Sequence, residues 1–227
     1  GALEIDAVAF LPQSRPRVFV IATRDDPPAA LTGEGAFQTR LVHEARARLP
    51  ADLAEGWIWW RASPPPTPNA DLASLIEPAA EWHDAATTTR LLSLMAPLHR
   101  DRLERMRDKG VRAVGAIYRR TRTEKGERRQ RAEVRFDGLA GCLRTPRGGS
   151  SRQTLVVVEG GAVRTRLITA REGARLMGLP DSYLLPRSAT AGLHVMGDGV
   201  AVPVVAWLQA QILSPLLAGP SKAIAAE

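Results

Sequence analysis

The segment 167–183, which reads LITAREGARLMGLPDSY, has the clearest local signal in the chain. Thr169 and Glu172 are three residues apart, the spacing at which the two side chains close a capping box at a helix N-terminus. A buried face and a helix stop follow in the order Leu176, Met177, Gly178 and Pro180. The segment therefore predicts a short helix with sharply defined ends.

A second helix is predicted downstream, beginning near Pro203 in GDGVAVPVVAWLQAQILSPLL. Its apolar residues recur at every fourth position and would share one face, at Val204, Leu208, Ile212 and Leu216. Directly before it, the sequence 197–199, Gly-Asp-Gly, predicts a turn at the helix N-terminus, where backbone N–H groups and a carboxylate could meet a ligand. Most turns of this kind have only a structural role, so the turn alone indicates little.

The stretch upstream of the first segment is strongly basic. Between residues 119 and 152 there are eleven Lys or Arg and four Asp or Glu. Two strand-like runs, 111–120 and 131–138, flank the turn-forming sequence TEKGE and predict a β-hairpin. The arginines of this hairpin are Arg119, Arg120, Arg122, Arg128, Arg129 and Arg131.

A loop with the sequence LRTPRGGSSRQ follows the hairpin at residues 143–153. Its glycines and serines provide a flexible backbone with free N–H groups, which can approach a phosphate chain closely. The candidate phosphate-binding residues are Arg144, Arg147, Gly148, Gly149, Ser150, Ser151 and Arg152. A charge run is most often a solvated surface, but the net charge of +7, supplied mainly by arginine, favours a nucleic acid as partner.

The region between the N-terminus and the hairpin predicts further core elements. Trp57, Trp59 and Trp60 indicate a strand that ends in a proline-rich turn. The sequence DLASLIE predicts a short capped helix, and a longer helix, interrupted at Pro97 and ended by Gly110, would follow it. Its apolar face would contain Leu91, Leu92, Leu94, Met95 and Leu98. The nearby histidines, His83 and His99, are expected to be packed or surface residues.

Composition limits the other classes of function. A length of 227 residues, 44% of them hydrophobic, allows a sizeable core in one large or two small domains. The single cysteine, Cys142, excludes an internal disulfide bond and a thiolate zinc cluster, and the four histidines lack metal-ligand spacing. The apolar runs are too short to span a bilayer, and no signal-peptide pattern is found. We therefore expect a soluble, cytoplasmic protein with no metal site and no membrane association.

The sequence QSRPR near the N-terminus completes an ordered set of motifs, because it enters a predicted strand and precedes the basic loop and both helical segments. In this layout the chain resembles the C-terminal half of a bacterial DNA (cytosine-5) methyltransferase. The matching positions are Gln13, Arg15 and Arg17 for the family's motif VIII, 166–183 for motif IX and 197–205 for motif X. The resemblance covers nearly the whole chain.

The resemblance implies a role for each motif. The arginine at the position of Arg17 reaches the target cytosine, flipped out of duplex DNA, and a neighbouring phosphate, while Gln13 and Arg15 shape the same site. Because alternate residues of a strand share a face, we expect Arg15 and Arg17 on one cationic face. Motif X implies binding of the cofactor S-adenosylmethionine, at Asp198, Gly199 and Val200. The family usually has asparagine where this chain has Asp198.

The fold implied by the resemblance is α/β with an α+β insertion. Residues 1–24 would supply the last strand or strands of a Rossmann-like methyltransferase sheet, and residues 196–227 would hold motif X and a C-terminal helix that returns to that sheet. A target-recognition domain with β-hairpins would occupy residues 25–165, and residues 166–195 would form the motif IX helix and loop. The terminal segments would pair with each other, be covered by a second chain, or be partly mobile.

Three family motifs are not found in this sequence: the Pro-Cys that supplies a thiolate nucleophile, the D-L-F-x-G-x-G cofactor loop and the E-N-V acid. All three precede motif VIII in the family. Cys142 follows Gly141 and occupies the position of a threonine in the recognition domain, so we do not expect it to be the nucleophile. We expect a chain that binds duplex DNA and transfers a methyl group only with its N-terminal half or a second subunit.

Other interpretations stay open. The chain begins with Gly1 rather than methionine, which indicates a part of a longer enzyme. It could also be a natural subunit of a split methyltransferase or a stand-alone DNA-binding module. A protein that binds RNA through the shape recognised by its arginine loop is a further alternative.

Overall fold

A computed structural model describes residues 1–68, 70–78, 80–124, 126–146 and 152–218. The strands in this part of the chain are β1 (Ala2–Asp6), β2 (Pro16–Val20), β3 (Ala113–Glu124), β4 (Glu127–Arg135), β5 (Thr154–Glu159) and β6 (Ala162–Leu167). The α-helices are α1 (Arg40–Ala47), α2 (Ala51–Glu55), α3 (Leu72–Leu75), α4 (Ala85–Ser93), α5 (Pro97–Asp108), α6 (Ala170–Leu176), α7 (Ala189–Asp198), α8 (Val202–Leu208) and α9 (Ser214–Ala218). A π-helix, Gln209–Leu213, joins α8 to α9.

Packing divides the chain into two units, and neither is continuous in sequence. Unit 1 consists of Gly1–Phe10, Pro16–Thr67 and residues 202–218, and unit 2 consists of Leu11–Arg15 and Pro68–Ala201. The first strands and the last helices, predicted at opposite ends of the chain, thus belong to one unit. The extent of the recognition domain, 25–165, stays a prediction.

Unit 1 contains a two-stranded antiparallel sheet. β1 pairs with β2 along its whole length, and Leu3 and Ile5 of β1 are buried. β2 lies largely at the surface, with Val18 62% exposed and Val20 75% exposed. An isolated two-stranded sheet is at best marginally stable in water. The described residues of unit 1 contain both strands and helices and form a mixed α/β unit. A larger Rossmann-like sheet stays a prediction.

The C-terminal helix of unit 1 begins at Val202, next to the predicted start. Of the four predicted core positions, Val204, Leu208 and Ile212 are buried and Leu216 is half-buried. On the same helix, the Trp207 ring packs edge-on against Phe10 and Phe37, with ring centroids 5.8 and 5.3 Å apart. The four-residue spacing thus predicted the buried face of this helix.

The predicted tryptophan strand is wrong. Trp57 and Trp59 lie in irregular backbone, and Trp60 makes one isolated bridge, to Thr32. Prolines follow within a few residues and cannot donate ladder hydrogen bonds, so the run stays too short for a strand. Trp60 is nevertheless fully buried, and its indole N–H donates to the carbonyl of Ile21 at 3.3 Å.

Unit 2 is built on a four-stranded antiparallel sheet in the order β4-β3-β5-β6. The predicted β3–β4 hairpin is confirmed, and its strands pair as far as Glu124 opposite Glu127. Alternate residues of the sheet enter two hydrophobic clusters. The cluster that includes α6 and α7 receives Val114, Ala116, Leu155 and Val157 from the sheet. The cluster that includes α4 and α5 receives Ile117, Ala132, Val134, Val156 and Val158. Helices therefore cover both faces of the sheet.

The helices of unit 2 follow their sequence signals closely. The capping box is present, since Thr169 Oγ1 accepts from the Glu172 N–H and the Glu172 carboxylate accepts from the Thr169 N–H. Gly178 follows α6 with a φ of +80°, which glycine adopts without strain.

The short capped helix of DLASLIE is α3. The helix predicted as interrupted is two helices, with Pro97 in the first turn of α5. Leu98 is exposed rather than buried, because α5 starts a new helix with its own orientation.

The helical stretch 189–218 is long and apolar enough to cross a membrane by length and composition alone. The prediction that the apolar runs are too short to span a bilayer is therefore wrong for this stretch. Core helices of soluble proteins pass the same test, and extended backbone at Gly199 separates α7 from α8. The absence of a membrane partner stays a prediction.

Candidate functional site

The arginines of the β3–β4 hairpin lie on two faces of the ribbon. Arg120 is opposite Arg131 and Arg122 is opposite Arg129, and directly opposed residues of an antiparallel pair share a face. The alternate positions, on the other face, carry Arg119 and Arg128. The register thus groups four of the predicted hairpin arginines on what we call the four-arginine face.

Two carboxylates partly neutralise the four-arginine face. Glu133 accepts from Arg122 at 2.5 Å and lies 3.4 Å from Arg120, and Glu127 accepts from Arg129 at 2.8 Å. These arginine side chains are about half exposed, and exposed ion pairs contribute only about 0.2–1 kcal/mol each. Phosphate groups could replace such carboxylates at little cost.

The basic loop is only partly covered by the structure. Arg147, Gly148, Gly149, Ser150 and Ser151 lie outside the described residues. At the two ends of this gap, Arg144 is exposed and Arg152 is half-buried. Phosphate binding by the loop stays a prediction.

Side chains of the predicted motif VIII hold the residue at which the basic loop begins, Leu143. Its N–H donates to Gln13 Oε1 at 3.1 Å, and its carbonyl accepts from Arg15 Nη1 at 2.8 Å. Gln13 also donates to the carbonyl of Leu176, the last residue of α6, at 2.6 Å. Gln13 is completely buried, so it acts inside unit 2 as a polar bridge between the loop and α6.

Arg15 is a buried residue rather than a surface cation. It is 2% exposed, and its Nη2 donates to the carbonyls of Gly197 at 2.9 Å and Gly199 at 2.6 Å. Arg17 is exposed and donates to the carbonyl of Pro16 at 2.7 Å. The predicted shared cationic face is wrong, because β2 begins only at Pro16 and Arg15 belongs to the segment packed in unit 2. The base-contact role of Arg17 stays a prediction.

The turn at residues 197–199 lies at the C-terminus of α7 and not at the predicted helix N-terminus. Gly197 and Asp198 are the last residues of α7, and Gly199 is its extended C-cap. A helix C-terminus presents carbonyl groups rather than N–H groups, and Arg15 takes two of these carbonyls. The carboxylate of Asp198 accepts from Thr145 Oγ1 of the basic loop.

The residues predicted to bind S-adenosylmethionine fit it in part. Asp198 is exposed, and its Oδ2 makes no hydrogen bond with the described residues, so it can accept from a hydroxyl or ammonium group of the cofactor. Val200 is half exposed and offers an apolar contact. Gly199 has both backbone groups engaged, its carbonyl by Arg15 and its N–H by the Val195 carbonyl. Gly199 therefore provides space rather than hydrogen bonds.

A buried ion pair, which the sequence analysis missed, supports α6. Arg166 donates to the two carboxylate oxygens of Glu172 at 2.8 and 2.5 Å, and both side chains are almost fully buried. The carboxylate also accepts from the N–H groups of Thr169 and Glu77. Burial raises the pKa of Glu172, but the hydrogen bonds from Arg166 and the two N–H groups outweigh it and hold the pKa below its ordinary value.

Cys142 adjoins the same segment of the basic loop. Its half-buried sulfur lies 3.5 Å from Arg15 Nη1 and 3.5 Å from the Leu143 carbonyl oxygen. The position beside Leu143 is that of a packed residue at the base of a loop. Its exclusion as the nucleophile stays a prediction.

The other candidate metal or acid–base residues are structural in their contacts. Across the described ranges, no group of three or more His, Cys, Asp or Glu is placed to hold a metal ion. His83 Nδ1 lies 3.0 Å from Thr165 Oγ1, and His99 Nδ1 accepts from the Val134 N–H at 3.1 Å. Both histidines are half-buried, which agrees with the expectation of packed or surface residues.

Comparison with known proteins identifies the family. The model of the C-5 cytosine-specific DNA methylases matches residues 7–214, from the end of β1 to the start of α9. A stretch of 61 residues is 36% identical to the type II methyltransferase M.SsoII of Shigella sonnei. That similarity covers 27% of this chain but only 16% of M.SsoII, far below two thirds of its length. The family match includes the β3–β4 hairpin, the buried residues Gln13 and Arg15, and residues 197–199 at the end of α7, and the chain therefore belongs to the C-5 cytosine-specific DNA methylase family.

Proposed function

We propose that the complete protein transfers a methyl group from S-adenosylmethionine to carbon 5 of cytosine in duplex DNA. The chain described here would supply target recognition and the C-terminal part of that enzyme. One observation carries the proposal: the family match runs through residues 7–214, yet this sequence contains no Pro-Cys. The chemistry would then depend on a nucleophile outside this chain.

The recognition role rests on the four-arginine face. The planar guanidinium group donates two parallel hydrogen bonds to a phosphate or a guanine edge. The hairpin places Arg120 and Arg122 opposite Arg131 and Arg129 on a paired two-stranded ribbon, and a ribbon of this kind fits the major groove of DNA. The exposed ion pairs of this face can exchange carboxylate for phosphate.

A partner for unit 1 is the second part of the proposal. β2 is an edge strand of the two-stranded sheet and exposes Val18 and Val20, and a strand edge is a template for pairing with another chain segment. We infer that an N-terminal catalytic half, or a second subunit, covers this edge. When bound, S-adenosylmethionine would supply the methyl group, and Asp198 would hold one of its polar groups.

The test of this function is a methyl-transfer assay with radiolabelled S-adenosylmethionine and duplex DNA. The 227-residue chain alone should transfer no label, and addition of an N-terminal half that contains the Pro-Cys motif should restore transfer. Transfer by the isolated chain that is abolished in Cys142→Ser would contradict the proposal. The same assay with Cys142→Ser in the reconstituted enzyme should retain activity.

The same observations are compatible with two alternative functions. A natural subunit of a split methyltransferase would be active with a separately encoded partner, and a stand-alone module would bind DNA with no partner at all. Reading the codons upstream of Gly1 separates the longer enzyme from the split subunit: an open frame with Pro-Cys supports the longer enzyme, and a start codon there supports the split subunit. In either enzyme we place the protein in the bacterial cytoplasm, beside a restriction partner.

A further inference from the structure

The segment Leu11–Arg15 forms part of the core of unit 2, although it precedes most of that unit by more than fifty residues. It runs beside Ala140, with a parallel bridge between Gln13 and Ala140. The N–H of Ser14 donates to the Ala140 carbonyl at 2.9 Å, and the Ala140 N–H donates to Pro12 at 2.8 Å. This pairing fixes the position from which the Arg15 side chain starts.

The guanidinium group of Arg15 joins two segments that are distant in sequence. One nitrogen binds the carbonyl of Leu143, where the basic loop begins, and the other binds Gly197 and Gly199 at the end of α7. A guanidinium group is planar and its donors have a fixed geometry. The two segments therefore cannot move apart without breaking hydrogen bonds of a buried cation, which is costly.

A second set of contacts links the same two segments. Thr145 Oγ1 donates to the Asp198 carboxylate. The backbones also touch, because a Cβ placed on Gly197 would lie 2.3 Å from the Thr145 nitrogen and 2.6 Å from the Arg144 carbonyl carbon. Only glycine fits this approach. The beginning of the basic loop and the end of α7 thus form one rigid contact inside unit 2, with Arg15 at its centre.

We propose that Arg15 is a positioning residue that couples the start of the basic loop, Leu143–Thr145, to the turn at residues 197–199. DNA held by the arginines of the loop would restrict the turn through this link, and a ligand on Asp198 would restrict the loop in return, since coupling between sites is reciprocal. The roles of DNA and of the cofactor in this coupling rest on the proposed function. The mechanical link itself rests only on the contacts of Arg15.

Hydrogen exchange of the full chain tests the link without any ligand. Arg15→Lys keeps the charge but replaces a two-pronged donor by a single ammonium group, so it cannot hold both segments in the same geometry. We expect the amide exchange rate to rise about tenfold both in the peptide that covers 141–146 and in the peptide that covers 193–200. Each segment loses a buried hydrogen bond. A rise in one peptide alone, or in neither, overturns the proposal.

The matched control is Arg166→Lys, which alters another fully buried arginine of unit 2. Its partners include Glu172 and the Glu77 carbonyl, so exchange should rise around α6 and stay unchanged in the 141–146 and 193–200 peptides. Should Arg15→Lys fail to fold, Thr145→Val, which removes the second link, provides the same paired readout. Faster exchange in both peptides supports the coupling, and independent changes contradict it.

Addition of a DNA duplex to the full chain gives a readout that a purely structural arginine would not change. In the unmodified chain, DNA should slow exchange in the 193–200 peptide as well as in the loop. In Arg15→Lys, at a DNA concentration that saturates binding by fluorescence anisotropy, the loop should still be protected while the turn is not. Equal protection of the turn in both proteins overturns the coupling. Failure of the unmodified chain to bind DNA would overturn the proposed function instead, and the ligand-free measurement would still decide the role of Arg15.

Discussion

At the scale of single residues, buried polar side chains hold distant parts of unit 2 together: Arg15 binds the Leu143 carbonyl, and Arg166 binds Glu172. The capping box was predicted because its two residues are close in sequence and its geometry is local. The second partner of Glu172, Arg166, was missed because the cap already accounts for the carboxylate. Gln13 and Arg15 were selected from motif context, yet their contacts at Leu143 and Gly197 depend on tertiary packing that no local pattern contains.

The first prediction concerns the buried ion pair. Glu172 has its pKa held below the ordinary value, so its contribution to stability is present above the pKa of the unfolded chain and is lost as pH falls through the folded value. Glu172→Gln leaves Arg166 without its charge partner and should cost about 3–5 kcal/mol near neutral pH. Urea unfolding at several pH values should show a shallower acid loss in this variant.

The control for this measurement is Asp181→Asn, which removes the exposed partner of Arg175. Its neutral-pH cost should stay below about 1 kcal/mol, because an exposed pair contributes little. An equal loss of stability in the two variants would contradict the view that burial makes the Glu172 pair important.

The second prediction concerns Arg17, which the structure leaves exposed beside Pro16. A flipped cytosine costs a few kcal/mol to extrude, and contacts formed only with the extruded base raise turnover more than affinity. In the enzyme reconstituted with its N-terminal half, Arg17→Ala should reduce the single-turnover methylation rate much more than duplex binding. Arg129→Ala on the hairpin should show the reverse order of effects. A common factor for rate and binding in Arg17→Ala would identify an ordinary phosphate contact.

At the scale of elements, the predicted hairpin and helices were largely confirmed and the tryptophan strand was not. The hairpin has its signal in adjacent sequence, two alternating runs around a turn with glycine. Trp57, Trp59 and Trp60 have strand propensity, but a strand also needs a partner along its length. Within the described ranges, the bridge found for this run is the one between Trp60 and Thr32. Propensity without pairing is insufficient, since cross-strand contacts stabilise a sheet.

The third prediction tests the four-arginine face. Arg122 and Arg129 oppose each other on this face, so the double variant Arg122→Ala, Arg129→Ala should bind duplex DNA with a smaller salt dependence. If each arginine neutralises one phosphate, the log–log slope of affinity against salt should change by about 1.8. Titrations by fluorescence anisotropy at a series of salt concentrations measure this slope.

A double variant outside the hairpin is the control for charge alone. Arg24 and Arg90 are exposed, and replacing both with alanine lowers the net charge by the same amount. Its slope should stay close to that of the unmodified chain. Equal changes in the two double variants would assign the effect to overall charge rather than to the hairpin.

At the scale of the whole molecule, motif order predicted the family, and local patterns could not predict the division into units. Each unit joins segments that are far apart along the chain. The contacts between such distant segments define the unit, and no short window of sequence contains both partners. The alternative in which the terminal segments assemble with each other was left open. β1, β2 and the helix from Val202 belong to unit 1, whereas Leu11–Arg15 and the residues just before Val202 belong to unit 2. Completion of the two-stranded sheet of unit 1 by a further chain stays a prediction.

The fourth prediction is that the two units have separable stabilities. Trp60 is fully buried in unit 1, and replacing a buried tryptophan with alanine costs about 3–5 kcal/mol. Hydrogen exchange in Trp60→Ala should therefore rise across β1 and the helix from Val202, while the sheet of unit 2 keeps its protection. Uniform loss of protection through both units would show that they unfold as one cooperative body.

The placement of Leu11–Arg15 inside unit 2 has a consequence for building chimeras. Grafting residues 68–201 of this chain onto a relative would transfer the hairpin and basic loop but leave Gln13 and Arg15 behind. The buried N–H and carbonyl of Leu143 would then face whatever residues the host provides, at about 1–3 kcal/mol for each group left unpaired. A graft that changes DNA specificity must therefore transfer two segments rather than one, so that the short N-terminal peptide Leu11–Arg15 accompanies the module it anchors.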